Sequence, residues 1–105
     1  MTTVRYDRDA EMPGMLIAGH AGSAPYGQDL VCAACSILGY TLINSIAEIP
    51  EYMGSFYVDD THGVIHVEAR PEEEHRELCL HTFDVIYTGF EILAAKYPEN
   101  VRCCG

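Results

Sequence analysis

Thr2–Asp7 alternates weakly between polar and apolar side chains, a pattern that predicts a strand at the edge of a sheet. Pro13 and Gly14 then punctuate a turn. Residues 15–18 are all apolar, which fits a buried strand forming a hairpin with the first. Gly19, Gly22, Gly27 and Pro25 make residues 19–28 a loop with wide backbone freedom. Beyond it the period lengthens. Val31, Cys35, Leu38, Leu42 and Ile49 recur at spacings of three, four or seven, one face of a helix that Asp29 caps and Pro50 stops.

The second half repeats the scheme. Residues 52–59 and Val64–Ala69 read as two strands around the turn-rich Asp60-Thr61-His62-Gly63. Pro71 opens the longest helix, with Glu72, Glu73 and Glu74 at its positive end. Its stripe is Cys79, Phe83, Ile86, Phe90, Leu93 and Tyr97; Lys96 suits its last turn and Pro98 ends it. Residues 101–103 allow a final short strand. The order ββαββα, with or without that strand, predicts a two-layer α+β domain: a small antiparallel or mixed sheet with two helices packed on it. The long stripe exceeds what so small a sheet is expected to cover, so a homodimer is expected to bury the remainder.

Composition narrows the function classes. The 105 residues suit one domain, and 49% apolar with 21% charged residues is a globular balance. Sixteen acidic against six basic side chains give a formal charge of −10, which repels nucleic acid and anionic membranes and suits a basic partner, or merely aids solubility. No apolar run approaches the roughly 20 residues of a membrane span, and residues 1–7 lack a secretory signal layout, so a cytoplasmic protein is expected. Cys32, Cys35, Cys79, Cys103 and Cys104 therefore read as thiols rather than a disulfide framework, with Cys103 and Cys104 in a solvent-exposed tail.

Candidate chemistry gathers where the glycine loop meets the first helix. With Asp29 as N-cap, Cys32 falls in the first turn, where unpaired N–H groups and the helix dipole favour a thiolate. His20, at a strand end across the loop, is the candidate base for Cys–His activation. Against this, a lone helical cysteine is usually a small buried hydrophobe and a lone loop histidine a surface residue. Cys35 belongs to the apolar stripe and reads as core.

Three other readings use the same residues. Cys32-Ala33-Ala34-Cys35 at a helix start is the arrangement of thiol oxidoreductases, although their strand runs almost directly into the motif. A zinc site would take Cys32 and Cys35 with Cys103–Cys104 or His20, but the second cysteine pair is vicinal rather than spaced. A non-catalytic partner-binding protein is the last alternative. His62, His66, His75 and His81 read as surface residues, and no metal or cofactor is expected.

Gly19-His20-Ala21, a glycine-containing loop, and Asp29-Leu30-Val31-Cys32-Ala33-Ala34-Cys35-Ser36 together resemble the ribosomal-processing cysteine protease family, Prp. The family hallmark is Gly-His-Ala followed by Asp-Ile-Val-Cys-Ala-Ala-x-Ser. Tyr97-Pro98-Glu99-Asn100-Val101 and the order of elements are similar too. The resemblance implies a cysteine endopeptidase with Cys32 as nucleophile, His20 as general base and Asp29 and Ser36 in support. Gly19, Gly22 and Gly27 would let the loop order over substrate, and N–H groups near the helix start would stabilise the oxyanion. Similar proteins trim a short N-terminal extension from a large-subunit ribosomal protein, cutting after an aromatic residue. They are usually homodimers; phage-borne copies would act on a capsid or scaffold protein instead. Cys35 departs from the family, which commonly has valine there.

Overall fold

The computed structural model describes residues 1–20 and 29–104. Strands β1 (Thr2–Asp7), β2 (Gly14–Ala18), β3 (Gly54–Asp59), β4 (Val64–Ala69) and β5 (Val101–Cys104) form one mixed sheet in the order β3-β4-β2-β1-β5. Helices α1 (Leu30–Ala47) and α2 (Arg76–Lys96) pack on it, which is the α+β architecture expected. The register explains why. Cys103, Val4, Ile17, Ile65 and Val58 pair in one row across the sheet. Val4, Ile17 and Ile65 are buried in the same core cluster as Leu42, Phe83 and Phe90 of the helices. The next row, Arg5, Leu16, His66 and Tyr57, points to the other face and stays nearer solvent.

Several expectations need correction. β1 is not an edge strand, because β5 pairs with its free side in parallel. Cys103 and Cys104 thus belong to a strand rather than an exposed tail. Both are half-buried, and the Cys104 thiol points to the Val4 carbonyl at 3.6 Å. α1 stops at Ala47, and Ile49 is extended, the conformation Pro50 imposes on the residue before it; Ile46 takes the inward position instead. A 3-10 turn at Pro50–Tyr52 and a left-handed Met53 delay β3 to Gly54.

The start of α2 also differs. Backbone bonds from Arg70 to Tyr52 and from Glu72 to Glu51 tie the segment to that preceding turn. A separate 3-10 turn, Glu73–His75, therefore intervenes, and only Glu77 occupies the first turn of α2. His75 is half-buried, its ring edge-on to Tyr52, rather than a surface residue of the helix.

The inward stripe of α2, with Cys79, Phe83, Ile86 and Phe90, is fully covered; Tyr97 lies beyond the helix and is exposed. Uncovered apolar surface lies elsewhere on α2, at Leu78, Val85 and Ile92, seven residues apart on its outer face. Both helices reach the length and mean hydropathy of a membrane span, contrary to the reading of short apolar runs, yet each contributes one face to this core. Gly39 lets α1 approach the sheet closely: a Cβ there would sit 2.6 Å from Ile65 Cδ1.

Candidate active site

β2 ends beside the chain start, and two glycines turn that junction into a platform. Gly19 adopts φ +95°, and a Cβ on it would fall on the Met1 carbonyl oxygen. Its N–H donates to the Gly63 carbonyl at 2.9 Å, and its own carbonyl accepts the Thr2 hydroxyl at 3.1 Å. Thr2 is itself buried, with its N–H on the Asn100 carbonyl at 2.9 Å. His20 therefore leaves from a residue held on two sides. Its imidazole lies against bare Gly63 in the β3–β4 link: a Cβ at Gly63 would be 2.9 Å from His20 Cε1 and 3.1 Å from Nε2.

α1 presents the thiol. Asp29 is the N-cap, as its position predicts; its carboxylate accepts the Cys32 N–H at 2.9 Å and its carbonyl the Ala33 N–H at 3.1 Å. Cys32 is half-buried. Cys35, one turn on, is only 5% exposed, and burial pushes its thiol up to about 11, a hydrogen bond with the Thr2 side chain acting the other way.

His20, Asp29, Cys32, Cys35 and Ser36 all line one cleft of about 960 Å³, with Gly19 in its wall. The structure thus brings the candidate base and nucleophile to a common cavity, with Asp29 and Ser36 beside them. Gly22 and Gly27 lie outside the described residues.

Thr2, Tyr40, Asp60 and Gly63 also line the cleft and were not singled out by sequence. Tyr40 was legible in principle: Cys32, Ser36 and Tyr40 are four residues apart and share a helix face. Its hydroxyl donates to Asp60 at 3.0 Å, a bond that ties α1 to the β3–β4 link and holds the phenol above its usual range. Thr2, Asp60 and Gly63 carry no local signal, because their roles arise only when remote elements meet. Asp59 lines the same wall, its carboxyl held below the usual range by the hydrogen bond with His62 at 2.7 Å. The wall thus presents carboxylates beside a thiol and an imidazole, and a thiol with an imidazole is able to carry out acyl transfer.

Among the described residues, the donors that converge to ligand distance are Glu72, Glu74 and His75 at the head of α2, outside the cleft. Among the described residues, the cysteines and His20 form no such group.

The family model of the cysteine protease Prp matches residues 1–102. The chain belongs to the Prp family. It is accordingly a cysteine protease. It is 25% identical over 95 residues to the ribosomal processing cysteine protease Prp of Staphylococcus aureus, covering 90% of this chain and 87% of that one. The Bacillus subtilis protein of the same name is 24% identical over 103 residues, covering 95% and 91%. A crystal structure of the S. aureus protease with a covalently linked product peptide superposes with a TM-score of 0.82, at 22% identity over 98% of this chain and 97% of that one. The Prp fold is thus the fold described above.

Proposed function

We propose that this Prp member is a cytoplasmic endopeptidase in which Cys32 is the nucleophile and His20 the general base. Removal of a short N-terminal extension from a large-subunit ribosomal protein is its proposed task. The supporting observation is the shared cleft: His20, seated on Gly63, and Cys32, on a helix capped by Asp29, open on the same cavity.

His20 takes the thiol proton as Cys32 attacks the scissile carbonyl. The imidazolium then protonates the departing amine, leaving a thioester on Cys32. Water, deprotonated by His20, releases the acyl group and regenerates the thiol. The Cys32 N–H is occupied by Asp29, so the oxyanion draws on donors other than that group.

A basic ribosomal substrate suits both the net charge of −10 and the Asp59–Asp60 wall. The names of the S. aureus and B. subtilis relatives favour the same substrate class over a phage structural protein. A homodimer would cover Leu78, Val85 and Ile92.

The test is mass spectrometry of peptides spanning such an extension, incubated with wild type, Cys32→Ala and His20→Ala. One cut made by wild type alone is expected. Full cleavage by Cys32→Ala overturns the mechanism; cleavage only of a phage-protein peptide overturns the substrate.

A further inference from the structure

The cleft holds a second thiol that peptide hydrolysis does not use. Cys35 follows Cys32 by three residues, both line the cavity, and both are free thiols. Helix geometry puts the Cα atoms of residues three apart about 5 Å from each other, inside the roughly 4.4–6.8 Å range of disulfides. Their Cβ atoms, about 5–6 Å apart on a regular helix, must close by about 1–2 Å. The pair lies in the first two turns of α1, next to its N-cap Asp29, so that tightening falls at the helix end. The two thiols differ in access: Cys32 is half-buried at the cleft, while Cys35 is 5% exposed. An oxidant in the cleft therefore meets Cys32 first.

We propose that Cys32 and Cys35 form a reversible intrahelical disulfide that switches the peptidase off in the presence of hydroperoxides. The switch rests on Cys32 being the nucleophile. In the first step the Cys32 thiolate attacks a peroxide oxygen. An S–O bond forms, the O–O bond breaks, and the departing hydroxide or alkoxide takes a proton; Cys32 is now a sulfenic acid. The Cys35 sulfur then attacks the Cys32 sulfur and displaces hydroxide, which leaves as water with the Cys35 proton. Two thiols are oxidised and one peroxide is reduced. A dithiol reverses the change by exchange, and a bond strained by helix geometry is readily reduced. Cys35 would thereby also spare Cys32 from irreversible sulfinic acid.

The experiment treats the whole protein with a small excess of hydrogen peroxide, blocks remaining thiols with an alkylating reagent, and maps the peptides by mass. Peptide cleavage is followed in parallel. The expected result is a peptide containing Cys32 and Cys35 that has lost two hydrogens and takes no alkylating reagent. Cleavage should fall about 10-fold or more and return with dithiothreitol. In Cys35→Val, the same treatment should leave Cys32 as sulfinic or sulfonic acid, with a loss that dithiothreitol does not restore. Over-oxidation of Cys32 with Cys35 still alkylated, or a link confined to Cys103 and Cys104, overturns the proposal. A Cys32–Cys35 link that leaves cleavage unchanged also overturns the switch. The same link in a protein that cleaves nothing even when reduced would instead place the failure in the peptidase reading.

Discussion

Gly63 is the residue whose substitution reads most directly on the site, because it touches His20 without doing chemistry. It has φ +64°, so a side chain there meets two separate penalties. The left-handed backbone costs alanine about 1–2 kcal/mol, less for asparagine, which tolerates that region. The second penalty is steric and common to both. A Cβ would stand 2.9 Å from His20 Cε1, whereas ordinary contact begins at 3.4 Å, so the ring must retreat by about half an ångström or more. Displacing a catalytic group by about 1 Å costs on the order of 100-fold, so a fall in kcat/KM of about 10- to 100-fold is expected for both Gly63→Ala and Gly63→Asn. Stability should separate them, with urea midpoints showing the larger loss in alanine. Steady-state cleavage of a fluorogenic peptide, with urea unfolding of the same preparations, measures the two effects independently. If Gly63→Asn cleaves at the wild-type rate while Gly63→Ala is merely less stable, then Gly63 does not position the imidazole or His20 is not the base.

Two further outcomes follow from the geometry. Asp29→Ala removes the cap of α1 and should destabilise the protein by about 1 kcal/mol, while Asp29→Asn retains most of that; thermal melts followed by circular dichroism would show the ordering. Asp84 accepts Tyr6 Oη at 2.8 Å and Arg8 Nε at 2.9 Å, and Arg8 with Tyr6 holds its carboxyl below the usual range. A lowered native pKa means that this stabilisation is present above the unfolded carboxyl pKa and is lost as pH falls through the native one. Solvent screens the partly exposed pair, so Asp84→Asn should cost only about 1 kcal/mol at neutral pH. Its urea midpoint should converge with that of wild type as the pH drops below about 4; midpoints that stay parallel across that range would refute the assignment.

What the sequence revealed and hid divides by range. The inward faces of both helices were legible because Val31, Cys35 and Leu42, like Cys79, Phe83, Ile86 and Phe90, repeat with the helical period whatever they pack on. Asp29 was legible because a cap acts within one turn. β1 was misjudged as an edge strand because its outer neighbour comes from the far end of the sequence, and nothing in Thr2–Asp7 announces β5. The start of α2 slipped for a related reason. Pro71 and three glutamates favour a helix locally, but tertiary bonds to Glu51 and Tyr52 hold that stretch outside it. His20 and Cys32, which both line the cleft, were singled out through chemistry and family pattern. Thr2 and Gly63 were missed because each acts by contact with a residue far along the chain.

The joining of Thr2 to both Gly19 and Asn100 sets an order of assembly. The β1–β2 hairpin and α1 need only local contacts and can form early. Thr2, however, gains its backbone partner only when Asn100 arrives, and β1 gains its second neighbour only with Val101–Cys104. Closing so long a loop comes late, because its entropy must be met before the contact rewards it. Gly19, which precedes His20, thus gains its Gly63 partner when β2 meets β4, while its Thr2 partner is expected to be fixed only with the C-terminal strand. On the proposed mechanism, a nascent chain holds the thiol and imidazole without the completed frame around Thr2, so cutting is expected only after synthesis has passed residue 100.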